Sequence, residues 1–316
     1  MKTPLILYIL LFLFISCTDR PTQEQMESGL KEINGTKLYY KTIGKGEPIL
    51  IIHGGPGLNH NYLLPHLSTL AGNYQLLFYD QRACGKSSLN VDSSSITIDN
   101  FVNDIDEIRQ SFGIKKLNLM AHSWGGLLAL KYAIKYPDKV KSLILISSIG
   151  ASTSINSTAN QILAKRFTKE DSIKRMDIIK TEYFQKRDPK TIEALMKIGF
   201  KHQFYNPSFI DSLNLALNKN YVKTSRLLQY LIKDLMSYDF QSDLKQINSS
   251  TLLIYGDYDP LTETAGQRIH QSIEKSQFKI IEDCGHFPFI EKPESFNEIV
   301  TTFMNDNKQL NKFLTK

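Results

Sequence analysis

Cysteine is scarce in this chain: three among 316 residues, Cys17, Cys84 and Cys284. None belongs to a CxxC pair or to a histidine spacing that suits a metal, which argues against a thiolate metal centre. Tryptophan occurs once, at Trp124. No apolar run reaches the about 20 residues of a comfortable membrane span. Lys and Arg outnumber Asp and Glu, 38 to 32, but the excess is dispersed, and the basic tail Lys308, Lys312, Lys316 is short. Without a dense basic face or a reader motif, nucleic acid is not an expected partner. No internal repeat is visible. What remains is ordinary for a folded domain: 41% apolar and 22% charged residues, which excludes disorder and coiled coil as readings of the whole. The length suits one large α/β domain with an inserted subdomain.

The first segment stands apart. Lys2 precedes an apolar stretch from Pro4 to Ile15, followed by Ser16-Cys17. A positive start, a short hydrophobic core and a small residue at the cut site make a secretory signal. Phe14-Ile15-Ser16-Cys17 resembles a bacterial lipobox, with Phe14 where Leu is commoner. The resemblance implies cleavage before Cys17 and a lipid on its sulfur, and two or more acyl chains hold a protein stably on a membrane. The expected organisation is a signal over 1–17, a polar tether over 18–28, a catalytic domain from 29–150 and 247–310, and a helical cap over 151–246. The expected location is the cell envelope, facing the periplasm or the exterior. The oxidising compartment permits a Cys84–Cys284 bridge, but free thiols near the site are the expectation.

Short apolar runs recur from about Lys31. Residues 37–43 follow Asn34-Gly35 and suggest a hairpin. Residues 48–53, 75–79, 117–120, 140–146, 251–255 and 277–281 are continuous apolar runs, as expected of strands buried on both faces. Helical patterns separate them near 61–71, 98–112, 125–136, 262–274 and 293–306. Alternation of this kind predicts a mostly parallel sheet covered by helices on both faces. Between Ser152 and Gln246 the alternation stops. The leucine-rich stretch 227–236 has helical spacing, and a helical insert there would lie above the carboxyl ends of the strands, where open sheets bind ligands.

Ala121-His122-Ser123-Trp124-Gly125-Gly126 follows an apolar strand and opens a helix. A serine on such a strained turn needs small neighbours two residues away on each side. Gly125 fits, and Ala121 adds one methyl. Ser123 is therefore the candidate nucleophile. His53-Gly54-Gly55-Pro56-Gly57 follows the strand at 48–53. Glycine permits close backbone approach, so the amides of Gly55 and Trp124 are the candidate oxyanion donors. Pro56 has no N–H to offer. Asp259 lies three residues past Gly256 at the end of a strand and is preferred over Asp257 as the residue that orients the base. His286, in Cys284-Gly285-His286-Phe287-Pro288, is the candidate base. The order Ser, Asp, His along the chain is that of α/β hydrolases. Among the other histidines, His60 and His66 are candidates to line the site.

Three segments together, His53–Gly57, Asp80-Gln81-Arg82-Ala83-Cys84-Gly85-Lys86-Ser87 and Ser123-Trp124-Gly125, resemble the proline iminopeptidase family. The stretch from His53 to Leu63 is also similar to the tricorn-interacting aminopeptidases. The likeness covers about residues 30–150 and 250–305. It implies the α/β-hydrolase fold with a helical cap and a serine exopeptidase that releases an N-terminal residue, often proline, through an acyl-enzyme. No metal or organic cofactor is implied. Asp80 and Arg82 would tie loops beneath the site. Family members bind the substrate amine with cap glutamates, one often in a Trp-rich stretch. That stretch is absent here, because Trp124 is the only tryptophan. Glu170, Glu182, Glu193, Asp211 and Asp234 are the candidate carboxylates, and nothing in the sequence ranks them. Two other readings fit the same motifs: a carboxylesterase with the same three residues, and a non-catalytic binding protein that kept the fold. The substrate is expected to be a small peptide or ester; the oligomeric state leaves no trace in the sequence.

Overall fold

The computed structural model describes residues 26–314. The signal at 1–17, Cys17 and most of the tether lie outside the described residues. β1 (Met26–Ile33) and β2 (Thr36–Ile43) form the expected hairpin. Its turn, Asn34-Gly35, takes φ of 44° and 75°, the left-handed pair that suits strand twist in a two-residue hairpin. β1 starts at Met26, so the last residues assigned to the tether are a strand. It is an exposed edge with little apolar content, which hides it from a search for apolar runs.

The other strands are β3 (Glu47–Ile52), β4 (Tyr74–Tyr79), β5 (Leu117–His122), β6 (Val140–Ile146), β7 (Ser250–Gly256) and β8 (Ser276–Ile281). The sheet order is β1-β2-β4-β3-β5-β6-β7-β8. β1, β2 and β4 pair antiparallel, and every pairing from β4 through β8 is parallel. Side chains alternate between faces along a strand. Leu50, Ile52, Leu119, Leu143, Leu145 and Leu253 point to one core, and Ile49, Ile51, Met120, Ile144, Leu252 and Ile254 to the other. Both faces are covered along β3 to β7, and this is why those segments read as unbroken apolar runs; β8, expected to be buried on both faces, is an edge strand that is mostly exposed, Ile280 included.

Helices α1 (Ile98–Ser111) and α2 (Trp124–Lys135) follow the expected ranges closely. α1 is capped by Thr97, whose side chain accepts the Asn100 N–H. The cap begins after β6, with α3 (Thr153–Arg166), α4 (Lys169–Lys180), α5 (Glu182–Gln185), α6 (Pro189–Phe200), α7 (Tyr221–Leu228) and α8 (Ile232–Leu235). The leucine-rich stretch is thus two short helices around a 3-10 turn at 229–231. After β7, a π turn at 262–266 leads into α9 (Gln267–Ser272), and α10 (Pro288–Glu291) and α11 (Pro293–Leu314) end the chain. The helix expected over 61–71 is instead two 3-10 turns, at 60–62 and 68–72. Pro65 lies between them; it lacks an N–H and steers Leu64 away from helical geometry.

Beneath the sheet's carboxyl edge, Arg82 and Asp104 are both buried. The guanidinium donates to both carboxylate oxygens, at 2.9 and 2.6 Å. Burial pushes the Asp104 carboxyl above its ordinary range, against the pull of Arg82 and Asn34. Arg82→Met leaves that carboxylate without its cation, and loss of one partner of a buried pair costs about 3–5 kcal/mol. Urea unfolding at neutral pH is expected to show this loss, and to show less of it on acidification, as Asp104 takes up a proton. A cost below about 1 kcal/mol would mean that the pair behaves as a surface contact.

Candidate active site

Ser123 occupies the sharp turn between β5 and α2, with φ 54° and ψ −119°. A serine before a helix ordinarily accepts a helix N–H. Ser123 makes no such capping bond, which leaves Oγ uncommitted. The strained backbone is held by the Ser123 N–H to Ile146 O, and by Gly126 and Ile149 N–H groups that donate to Ser123 O. Gly125 is demanded by space: a Cβ there would run into the backbone oxygens of Ile52 and His53. Ala121 fits, wholly buried in β5.

The loops after β7 and β8 bring Asp259 and His286 to the same place. His286 Nδ1 lies 3.0 Å from Asp259 Oδ2. Asp259 Oδ1 accepts the Leu261 N–H at 3.0 Å, which fixes the carboxylate plane. Both side chains are buried. Ser123, Asp259 and His286 line one cavity of about 170 Å³. Asp257, the alternative acid, instead accepts the Cys284 N–H at 3.1 Å and does not line it.

A polar chain that sequence reasoning missed joins the parts. Gly54 N–H donates to Tyr62 Oη at 2.6 Å, and Tyr62 Oη lies 2.7 Å from His122 Nδ1. His122 Nε2 lies 2.9 Å from the carbonyl oxygen of His286. A carbonyl only accepts, so Nε2 carries the proton and Nδ1 accepts from the tyrosine. Burial, and then the neighbouring His286, push the His122 imidazole well below its ordinary range, so it remains neutral. The glycine loop, the serine turn and the histidine loop are thereby tied together. Tyr62 and His122 are 60 residues apart, and only their convergence shows the role.

The glycine loop is set from below. Burial lowers His53 to about 4, and its Nε2 accepts the Gln81 N–H at 3.0 Å. Gln81 Nε2 donates to His53 O at 2.6 Å, while Gln81 Oε1 accepts Trp124 Nε1–H at 2.9 Å. Gln81 thus ties the start of the glycine loop to the indole of Trp124. Gly55 has φ 127°, open to glycine and strained for other residues. Trp124 is the first residue of α2, so its N–H has no intrahelical partner. Among the described residues, neither the Gly55 nor the Trp124 amide hydrogen is taken by the fold. The cavity gathers a serine hydroxyl and an imidazole with its carboxylate, the core of an acyl-transfer site; Gly55 and Trp124, the expected oxyanion donors, are not among the residues that line it.

The expected residues do not all converge. His60 does not line the cavity; its ring lies 2.7 Å from Asp80 Oδ1, buried. His66 lies elsewhere, 3.3 Å from Ser212 O. None of the candidate cap carboxylates lines the cavity. Glu170, Glu182 and Glu193 pair with lysines along their own helices. Asp234 accepts the Ile98 N–H at 2.8 Å, and Asp211 sits in the turn at 207–212. The cap instead presents Asn156, Asn160 and Gln203 to the cavity. Asn156 is committed to Gly150 and Ser152. Cys84 and Cys284 are free and buried, and burial pushes both thiols up.

A strap beside the site helps hold the cap to the base. His286 N–H donates to Gln203 O at 2.7 Å. Glu291 accepts N–H bonds from Gly285, Tyr205 and Asn206. Phe204 stacks on Phe287 with ring centres 4.6 Å apart. Arg166 donates to His202 O and Tyr258 O, at 3.1 and 2.9 Å. Within the cap, Asp171 is buried. Burial pushes its carboxyl up, but hydrogen bonds from Lys201, Thr168 and His202 outweigh this and hold it below the ordinary range. A lowered carboxyl contributes stability above the unfolded value, about 3.9, and loses it as pH falls. Thermal unfolding of wild type against Asp171→Asn is expected to show a constant wild-type advantage above about pH 5 that shrinks below about pH 4. An advantage that grows on acidification contradicts the assignment.

The strained serine turn, the parallel sheet and the helical insert define an α/β hydrolase. The chain belongs to that family: the family model described as alpha/beta hydrolase fold matches residues 47–293. Several curated proteins similar to this chain over most of its length are proline iminopeptidases, the family its motifs resemble. The proline iminopeptidase of Saccharolobus solfataricus is 29% identical over 90% of this chain and 94% of its own. That of Thermoplasma volcanium is 29% identical over 89% and 97%. Among solved structures, a proline iminopeptidase of Mycobacterium smegmatis superposes with a TM-score of 0.65 at 18% identity, over 90% of this chain and all of its own. An esterase from Exiguobacterium antarcticum gives 0.66 at 22%, over 88% of this chain and all of its own. These two structures share the fold. Among the described residues, no helix is long and apolar enough to cross a membrane.

Proposed function

We propose that this hydrolase is an aminopeptidase of the proline iminopeptidase type, which releases an N-terminal residue through an acyl-enzyme. The observation that carries the reading is the shared cavity of Ser123, Asp259 and His286, with the His286–Asp259 hydrogen bond made. Ser123 Oγ attacks the carbonyl carbon of the first residue, and His286 Nε2 takes the hydroxyl proton. Asp259 accepts from Nδ1–H and so holds the tautomer that leaves Nε2 free as a base. The carbonyl oxygen, now an anion, accepts from the Gly55 and Trp124 amides. His286 returns the proton to the leaving nitrogen as the C–N bond breaks. Water, deprotonated by the same imidazole, then hydrolyses the ester on Ser123.

One observation favours a carboxylesterase as the second reading. A cationic amine in a closed site needs a carboxylate to offset its desolvation, and among the described residues Asp259, already engaged, is the only one that lines the cavity. Turnover of proline arylamides compared with short acyl esters separates the two. The peptidase reading requires amide hydrolysis; ester turnover alone removes it. Lipid attachment at Cys17 is part of the proposal, supported by the sequence from Lys2 to Cys17. A fatty-acid probe is expected to label the wild type and not Cys17→Ala, and equal labelling would end that claim.

A further inference from the structure

The catalytic cavity does not end above Ser123. Three of its residues, Asn160, Leu163 and Gln203, also line a larger open groove of about 630 Å³ in the cap. The floor of that groove is apolar: Leu163, Ala164, Phe167, Met196 and Phe200. On its rim stands Arg175, its guanidinium 5.6 Å from the centre of the Phe167 ring. Among the described residues Arg175 has no carboxylate partner. Asp171, one turn earlier on α4, is already taken by Lys201 and His202. Asn160 and Gln203, at the junction, have side-chain amides that no group among the described residues engages.

We propose that this groove is the subsite for the leaving part of the substrate, an apolar residue or two ending in a free carboxylate that pairs with Arg175. The proposal rests on the aminopeptidase reading, because there the acyl part is a single residue. The small cavity beside Ser123 takes that residue, and the remainder of the peptide must extend into the larger space that opens from it. An apolar floor recognises side chains by burial. A guanidinium recognises the terminal carboxylate through paired N–H donors. The carboxamides of Asn160 and Gln203 lie where the first peptide unit past the scissile bond passes, and offer it both donors and acceptors.

The test compares three substrates on the full chain: Pro-Leu-Phe with a free carboxylate, its C-terminal amide, and a prolyl arylamide. The acid is expected to show a KM about five- to tenfold below the amide, as for one charge-assisted contact near the surface. Arg175→Ala is expected to erase that difference and leave the arylamide within about twofold. Ala164→Trp, which fills the exposed groove floor, is expected to lower kcat/KM on both peptides more than tenfold and to spare the arylamide. Equal KM for acid and amide in the wild type overturns the proposal. So does chain-length selection among acyl esters that Ala164→Trp removes, because the groove would then hold the acyl side. The failure of the peptidase reading looks different. If only esters are cleaved, the same acid and amide pair joined to proline through an ester bond still reads the groove, and the Arg175 dependence decides it.

Discussion

Ser123→Ala is expected to abolish labelling by a fluorophosphonate probe and to lower kcat by about a millionfold, the scale seen when a serine nucleophile is removed from such a site. The same substitution is expected to leave stability almost unchanged. A serine replaced by alanine at a helix start ordinarily costs about 1 kcal/mol, because a capping bond is lost. Here the side chain makes no such bond. The pair of outcomes is the signature of a residue kept for chemistry. Residual labelling or unchanged activity of the variant would place the nucleophile elsewhere, and a wild type that neither labels nor turns over substrate would reduce the protein to a binding module on this fold.

The second large effect separates two aspartates that are two residues apart. Asp259→Asn is expected to lower kcat by about ten-thousandfold, because an amide at that position favours the wrong imidazole tautomer. Asp257→Asn is expected to change kcat less than about threefold, since the carboxylate of Asp257 serves the Cys284 N–H and such a single backbone bond is worth about 1 kcal/mol. Steady-state assays of the two variants on one substrate suffice. Equal losses would mean that the loop, and not the His286 Nδ1 contact, matters.

Much of this site was legible because its requirements are local. A strained serine turn needs small neighbours, so Gly125 and Ala121 mark it. A loop whose backbone must come close to its neighbours needs glycine, so Gly54-Gly55 marks the tight loop after β3. Buried strands need unbroken apolar runs, and β3 through β7 show them. Legibility ended where a requirement spans distant segments. Nothing near Tyr62 announces that its hydroxyl meets His122, and Gln81 gives no hint that it braces Trp124. The cap carboxylates could not be ranked because an acid on a helix reads the same whether it faces a substrate or a lysine four residues away. The helix expected at 61–71 failed because apolar spacing outvoted Pro65. The leucines of 227–236 keep helical spacing across a break that spacing alone does not show.

The strap at Gln203–Asn206 has a bearing on how this enzyme changes over evolutionary time. Its backbone oxygen and amides hold the loop that aims the imidazole, so an insertion or deletion there re-aims the proton acceptor along with the ceiling. New substrate preferences can therefore arise cheaply along α3, α4 and α6, whose outer surfaces leave the base untouched. The stretch between them and the histidine is expected to keep its length among descendants even where its side chains drift.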